Sequence, residues 1–322
     1  MARSIKMALY PIYMDDVPPH YTLANAFKQY FPNCYVYDWV NAAKRRGLPR
    51  AQHEFLSWLR VNKPEYTFMQ LQNPANMTVK MARDMAKYTK IINWSGDVRQ
   101  SKEWYRWFAD IGREIHLTLF SNETDVEVLK SMGVKNVGYL QIAFDNGWYY
   151  KQENKVTDKV MPEIVFCANN YGTFQLSKYR ADVAQALKDK YGDRFQLHGM
   201  GWKDYGFDTQ KCNNTTEALL YNNCKIAISV SNFQHKRYYS DRLLRIMACG
   251  AFPLSHRYEN IEADFKEGED IVIFENTDHL IEQCEYYLNN ETERQRIAEN
   301  AMKTVWASHK WENRMEELIK FL

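Results

Sequence analysis

Residues 163–199 read EIVFCANNYGTFQLSKYRADVAQALKDKYGDRFQLHG. An apolar run, Glu163–Cys167, ends in Ala168-Asn169-Asn170-Tyr171-Gly172. A helical pattern follows over Leu176–Lys190, and a second apolar run, Phe195–Gly199, closes the stretch. Strand, crossover helix and strand in so few residues make one unit of a parallel sheet.

The same alternation extends both ways. Downstream it predicts a helix over Thr216–Asn223, a strand over Lys225–Val230, a helix over Asp241–Cys249, strands over Ala251–Ser255 and Ile271–Phe274, and helices from Thr277 to the end. Upstream it predicts strands at Ile5–Tyr10, Cys34–Trp39, Tyr66–Leu71, Lys90–Asn93, Ile115–Phe120 and Val137–Ile142. Amphipathic stretches separate them at Thr22–Tyr30, Ala51–Val61, Val79–Tyr88, Lys102–Ile111 and Asp125–Met132. Ser121-Asn122-Glu123-Thr124 supplies a cap for the last of these. The pattern lapses into a polar, lysine-rich segment around Asp145–Met161, which reads as a linker. The expected class is α/β, with two Rossmann-like domains facing a central cleft, residues 1–150 and residues 151–309. Ligands of such sheets bind beyond the carboxyl ends of the strands, so residues just after strands are the functional candidates.

The 322 residues suffice for two cores of ordinary size. Aromatics reach 15%, with 22 Tyr and 9 Trp, which suits stacking or sugar-binding surfaces and equally suits aromatic-rich cores. No apolar run is long enough to span a membrane, and MARSIKMALYPIY reads as a first strand rather than a leader. Six scattered cysteines without a CxxC pair point to reduced core thiols in a cytoplasmic protein. Residues 1–150 hold 19 Lys and Arg against 14 Asp and Glu, while the rest hold 23 against 26. The basic stretch Lys44–Arg50, with Arg46 in it, reads as a solvated loop with a weaker claim on a polyanion.

Three segments carry candidate chemistry. In Tyr238–Ile261 a short helix opens at Ser240 or Asp241, and a helix N-terminus offers free N–H groups to a diphosphate. Arg242 in its first turn opposes the helix dipole, a placement that either a bound phosphate or the neighbouring Asp241 offsets. After Cys167, the Asn and Gly residues allow backbone N–H groups to face an anion. Asn169, Asn170, Tyr171 and the Gly199-Met200 turn are the candidates there, with Arg180 in the helix that follows. In Lys90–Trp107 a strand runs into Ser95-Gly96-Asp97-Val98-Arg99, placing Asp97 at a strand end as a general base, or alternatively as a cap or a partner of Arg99. His20, in the loop after the first strand, is the alternative base. No Asp-x-Asp triplet is present, and with basic side chains available no metal or cofactor is required. No GxGxxG follows the first strand, which disfavours a dehydrogenase.

Ser240, Arg242, Ala248, Cys249 and Gly250 match a Ser-x-Arg-x-Phe-Glu-x-x-Ala-Cys-Gly pattern. This segment resembles the donor-binding helix of GT-B glycosyltransferases of the group related to spore-maturation protein CgeB, a group 1 type. The likeness covers roughly the last 160 residues. It implies a metal-independent transferase whose nucleotide-sugar donor, a UDP-sugar, sits between the loops after Cys167, Gly199 and Ser231 and the helix at Ser240. It also implies a last helix, residues 310–322, that returns to the first domain. The departure is Arg245, a donor-binding candidate that stands where the family has a glutamate gripping the donor ribose: either another group holds the ribose, or Arg245 itself contacts phosphate, or the donor differs. More faintly, Gly96-Asp97-Val98-Arg99 resembles the Thr-Asp-Ile-Arg motif of the inverting bacteriophage DNA β-glucosyltransferase. That resemblance implies Asp97 as catalytic base and Arg99 and Arg46 toward an acceptor. The acceptor would be a hydroxymethylated base in double-stranded DNA, in a host cytoplasm. A polysaccharide, protein or small-molecule acceptor, or a non-catalytic binding protein of the same fold, stays open.

Overall fold

The computed structural model describes residues 6–11, 21–96, 101–153 and 161–322. His20, Asp97, Arg99 and the later part of the expected linker lie outside the described residues. The chain divides into two compact units, Met1–Ile142 with Trp311–Leu322, and Ala143–Lys310.

The first unit runs β1 (Met7–Tyr10), α1 (Tyr21–Tyr30), β2 (Tyr35–Val36), α2 (Trp39–Arg46), α3 (Leu48–Asn62), β3 (Tyr66–Met69), α4 (Val79–Ala86), β4 (Lys90–Ser95), α5 (Lys102–Gly112), β5 (Leu117–Phe120), α6 (Glu123–Ser131) and β6 (Val137–Tyr139). Its six strands form one parallel sheet in the order β2-β1-β3-β4-β5-β6. The central strands are buried along their length, as a sheet covered on both faces requires. Asn122 caps α6 by accepting the Asp125 N–H at 2.7 Å, as its sequence predicts.

The stretch expected as a solvated loop, Lys44–Arg50, instead ends α2 and begins α3. Asp38 caps α2 through the Asn41 N–H, Gly47 separates the two helices at φ +84°, and Pro49 lies in the first turn of α3. The expected strand Cys34–Trp39 shrinks accordingly to Tyr35–Val36, because Asp38 starts a helix there.

The second unit continues with β7 (Ile164–Cys167), α7 (Ser177–Tyr191), β8 (Phe195–His198), α8 (Asn214–Asn223), β9 (Ile226–Ser229), α9 (Asp241–Ala248), β10 (Phe252–His256), β11 (Val272–Phe274), α10 (Thr277–Asn289) and α11 (Glu291–Ser308). Its five strands are parallel in the order β11-β10-β9-β7-β8. The expected linker begins too early. Tyr149 is fully buried in this unit, with its hydroxyl donating to Glu217 at 2.6 Å.

The closing helix α12 (Trp311–Ile319) belongs to the first unit and packs on α1. Trp311 meets Trp94 edge-on at 5.7 Å, and the Arg314 Nε donates to the Ile142 carbonyl at 3.2 Å. Among the described residues no helix is long and apolar enough to cross a membrane.

Candidate functional site

In the second unit the carboxyl ends of β7 and β8 are locked together. The Asn170 N–H donates to the Met200 carbonyl, and the Met200 N–H to Asn169 Oδ1, both at 2.8 Å. This contact leaves no room for side chains. A Cβ on Gly199 would stand 2.0 Å from the Ala168 oxygen, and one on Gly201 would stand 1.8 Å from the Asn170 oxygen. Both glycines also have positive φ, +127° and +80°, which only glycine adopts freely. Asn170 is therefore a turn former: its amide donates to the Ser177 carbonyl and its Oδ1 accepts the Gly172 N–H. Tyr171, 53% exposed, lies against Phe174.

Two arginines stand at these strand ends. Arg242, in the first turn of α9, donates through Nε to the Cys167 carbonyl at 2.5 Å and through Nη1 to the Val230 carbonyl at 3.1 Å. Its Nη1 also reaches Ser240 Oγ at 3.4 Å, while Ser240 makes no side-chain cap bond to the helix. No carboxylate pairs with Arg242 among the described residues. Arg180, in α7, is 0% exposed. Its Nη1 donates to Asn232 Oδ1, and its guanidinium lies over the rings of Phe166 and Trp202 at 5.6 and 5.7 Å. Nε and Nη2 have no hydrogen-bond partner. Burial, and then the nearby charge of Arg242, push the Arg180 pKa well below its ordinary value. A buried cation without a counter-ion is costly.

A polar cavity of about 100 Å³ opens beside Arg242. Asn169, Gly199, Cys167 and Cys212 line it together with Glu217, Asp241 and Arg245. Its size suits a phosphate-sized group rather than a whole nucleotide. A larger hollow of about 530 Å³ between Glu262 and Thr304 is lined by Asp264, Glu269 and Asp270 together with Lys266 and Lys303.

Arg245 faces the cavity, but it is already paired. It donates to Glu217 Oε2 at 2.9 Å and to Asp241 Oδ2, and it stacks on the Tyr149 ring at 4.8 Å. Burial opposes its charge, yet Asp241 and Glu217 outweigh that and raise its pKa. Tyr149 and Tyr221 both donate to Glu217, and burial raises both phenol pKa values, so both stay protonated.

The structure thus brings together Asn169, Gly199, Arg242 and Arg245 of the expected residues, with Met200 bonding the Asn169 side chain, Ser240 in contact with Arg242, and Arg180 behind Arg242. Glu217, Asp241 and Cys212 were missed. Asp241 was legible only as a helix start, and Glu217 carried no local signal. Cys212 and Cys167 line the cavity, so two of the cysteines expected in the core border the site; none of the six forms a disulfide. Arg46 lies on α2, paired with Glu54 at 2.9 Å. No group of three His, Cys, Asp or Glu is placed to hold a metal among the described residues.

A family model described as glycosyl transferase-like matches residues 180–320. That span runs from Arg180 through α9 to the closing helix. No curated protein matches by sequence. Among solved structures the chain is similar to HepE of Anabaena in complex with UDP and glucose. The TM-score is 0.71 at 11% identity, over 98% of this chain and 100% of that one. A glycosyltransferase from Rickettsia africae aligns with a TM-score of 0.66 at 10% identity, over 99% and 98%. Sucrose-phosphate synthase of Thermosynechococcus elongatus aligns with a TM-score of 0.62 at 10% identity, over 85% and 77%. These likenesses show a GT-B fold of two parallel-sheet domains. Family match and fold together support a glycosyltransferase.

Proposed function

We propose that the chain transfers a sugar from a UDP-sugar to an acceptor hydroxyl. One observation carries the reading: two guanidinium groups, one fully buried, stand at adjoining strand ends with no carboxylate partner. The HepE structures, which hold UDP or UDP-glucose on a similar fold, support the choice of donor.

In the proposed reaction the acceptor oxygen attacks the anomeric carbon of the donor. The bond from that carbon to the diphosphate oxygen breaks, and the electron pair leaves on the diphosphate. Arg242 and Arg180 stabilise that developing charge from a fixed, partly dry position, so it needs little reorganisation. Residues Asn169 to Tyr171 and the Gly199-Met200 turn shape the neighbouring backbone. The acceptor proton passes to Asp97, or alternatively to His20, with Arg99 beside Asp97 in sequence. Direct displacement of this kind inverts the anomeric centre.

Double-stranded DNA was one expected acceptor, but no comparison supports it, and the Glu54 pairing of Arg46 and Arg50 reduces the basic stretch expected to meet phosphates. A hydroxyl on a saccharide, protein or small molecule serves the same chemistry. Salt dependence separates these: a DNA acceptor makes transfer fall steeply with ionic strength.

Titration of the protein with UDP-glucose and related donors, with UDP release as the second readout, tests the proposal. A bound donor at ~100 times its Kd adds about 2.7 kcal/mol of stability. A protein that neither binds nor cleaves any nucleotide sugar would overturn it.

A further inference from the structure

Cys167 closes β7, and Cys212 lies in the irregular stretch, residues 207–213, that leads into α8. Far apart in sequence, the two line the same polar cavity of about 100 Å³ beside Arg242. Their thiols are in hydrogen-bond contact. Cys167 is 3% exposed, whereas Cys212 is half-buried. The hydrogen bond to Cys212, with burial behind it, pushes the Cys167 thiol well above its ordinary pKa. Alone, Cys167 would therefore be an inert core thiol.

We propose that Cys212 and Cys167 are a peroxide-responsive pair that closes to a reversible disulfide beside Arg242. An accessible sulfur meets the oxidant, and a shielded one in contact with it resolves the product. Sulfurs in such contact need to approach by only about 2 Å to reach the ~2.05 Å bond length. Cys212 belongs to neither a strand nor a helix, so its backbone can follow the sulfur.

The steps balance. The Cys212 thiolate attacks one oxygen of the peroxide and the O–O bond breaks. The other oxygen leaves as hydroxide and takes up the proton that Cys212 lost, and Cys212 becomes a sulfenic acid. The Cys167 sulfur then attacks the Cys212 sulfur. The S–O bond breaks, and the hydroxyl leaves as water with the Cys167 proton. Each sulfur gives up one electron, and the peroxide accepts both. A dithiol reductant reverses the bond by exchange.

The consequence for the donor rests on the reading above. Arg242 lines the same cavity and donates through Nε to the Cys167 carbonyl. Drawing Cys212 onto Cys167 takes up the space that faces Arg242, so the oxidised form holds a diphosphate less tightly.

The full chain is treated with hydrogen peroxide, digested without reduction and mapped by mass spectrometry. The expected product is a linked Cys167–Cys212 peptide, two hydrogens lighter than its parts and lost on treatment with dithiothreitol. Cys212→Ser should abolish it. Cys224→Ser should leave it in place, although Cys224 also acts on Cys167 and is the rival partner. In calorimetry, peroxide should lower the UDP affinity of the wild type by about 10- to 100-fold, the loss of a charge-assisted hydrogen bond to the diphosphate. Dithiothreitol should restore it, which general oxidative damage would not allow. Treated and untreated Cys212→Ser should bind UDP alike. A link between other cysteines, or a sulfinic acid at Cys212 with no link, would overturn the inference. A linked protein that binds UDP as before would overturn its consequence for the donor. If UDP binds neither form, the donor reading fails, and the linked peptide still decides the pair.

Discussion

The carboxyl ends of the two parallel sheets are finished with different chemistry. Among the described residues of the first unit, the buried polar residues at the strand ends include the neutral Gln70, Asn93, Ser95, Ser121 and Gln141, and the buried Asp125 in the first turn of α6 is already held by Asn122 and Tyr105. The neutral residues serve the backbone. Asn93 accepts the Leu71 N–H and donates back to the Leu71 carbonyl, and Ser121 donates to the Gly96 carbonyl. The second unit instead places Arg180 and Arg242 there, without a carboxylate to pair with either. Buried arginines elsewhere show that this is a choice. Arg294 donates to the Tyr287 and Leu288 carbonyls and faces Glu291, and Arg314 donates to the Ile142 carbonyl and pairs with Glu317. Arg242 likewise spends its donors on the Cys167 and Val230 carbonyls, whereas Arg180 keeps Nε and Nη2 without a partner.

The largest effect should come from the neutral end. If the first unit supplies only the base, Asp97→Ala should reduce transfer by ~10²–10⁴-fold in steady-state assays while UDP affinity stays as in the wild type. His20→Ala should then be mild. An inactive His20→Ala beside an active Asp97→Ala moves the base to the first loop.

Next in size is the locked contact under the charged end. Gly201→Ala should destabilise the protein by about 3 kcal/mol in urea unfolding, since both its φ and its Cβ position are forbidden. A cost within error of zero would mean that the two loops do not meet as described.

The arginine contrast is tested by exchanging charge for shape. Arg180→Met should weaken UDP binding by ~1.5–3 kcal/mol while leaving unliganded stability equal or higher, because it removes an unpaired buried charge. Arg294→Met should do the opposite, costing about 1–3 kcal/mol of stability by orphaning two carbonyls, with UDP affinity unchanged. Equal effects of both substitutions on stability and binding would erase the distinction.

The smallest effect is expected at the amino end of β7. Burial raises the Glu163 pKa, but hydrogen bonds from Lys225 and Arg194 outweigh it and hold the carboxyl below its ordinary value. A carboxyl lowered by folding adds stability above its unfolded pKa and loses it as pH falls through the folded one. Glu163→Gln should therefore cost ~0–1 kcal/mol at pH 7, with the difference closing below about pH 4. A difference that grows on acidification would reverse the sign.

Much of the fold was legible because parallel strands and amphipathic helices leave periods of apolar residues that any window reveals. The β7–α7–β8 unit and the α9 segment lie within a residue or two of their expected bounds. The α2–α3 corner was misread because its basic residues mask two capped helices divided only by Gly47. Asn170, expected at the donor, also holds its own turn, a role that the sequence does not separate from ligand binding.

By itself the sequence determined the two parallel sheets, the placing of Arg180 and Arg242 near the starts of helices that follow strands, and the anomaly of an arginine at 245. Those follow from neighbours along the chain. Only the tertiary structure decided what Arg245 is paired with. Glu217 lies 28 residues away on α8, and Tyr149 lies farther still in what read as a linker. Neither residue can be tied to Arg245 by period or spacing, because the contact exists only once α8 packs on α9 and excludes the water that would otherwise screen each charge from the other.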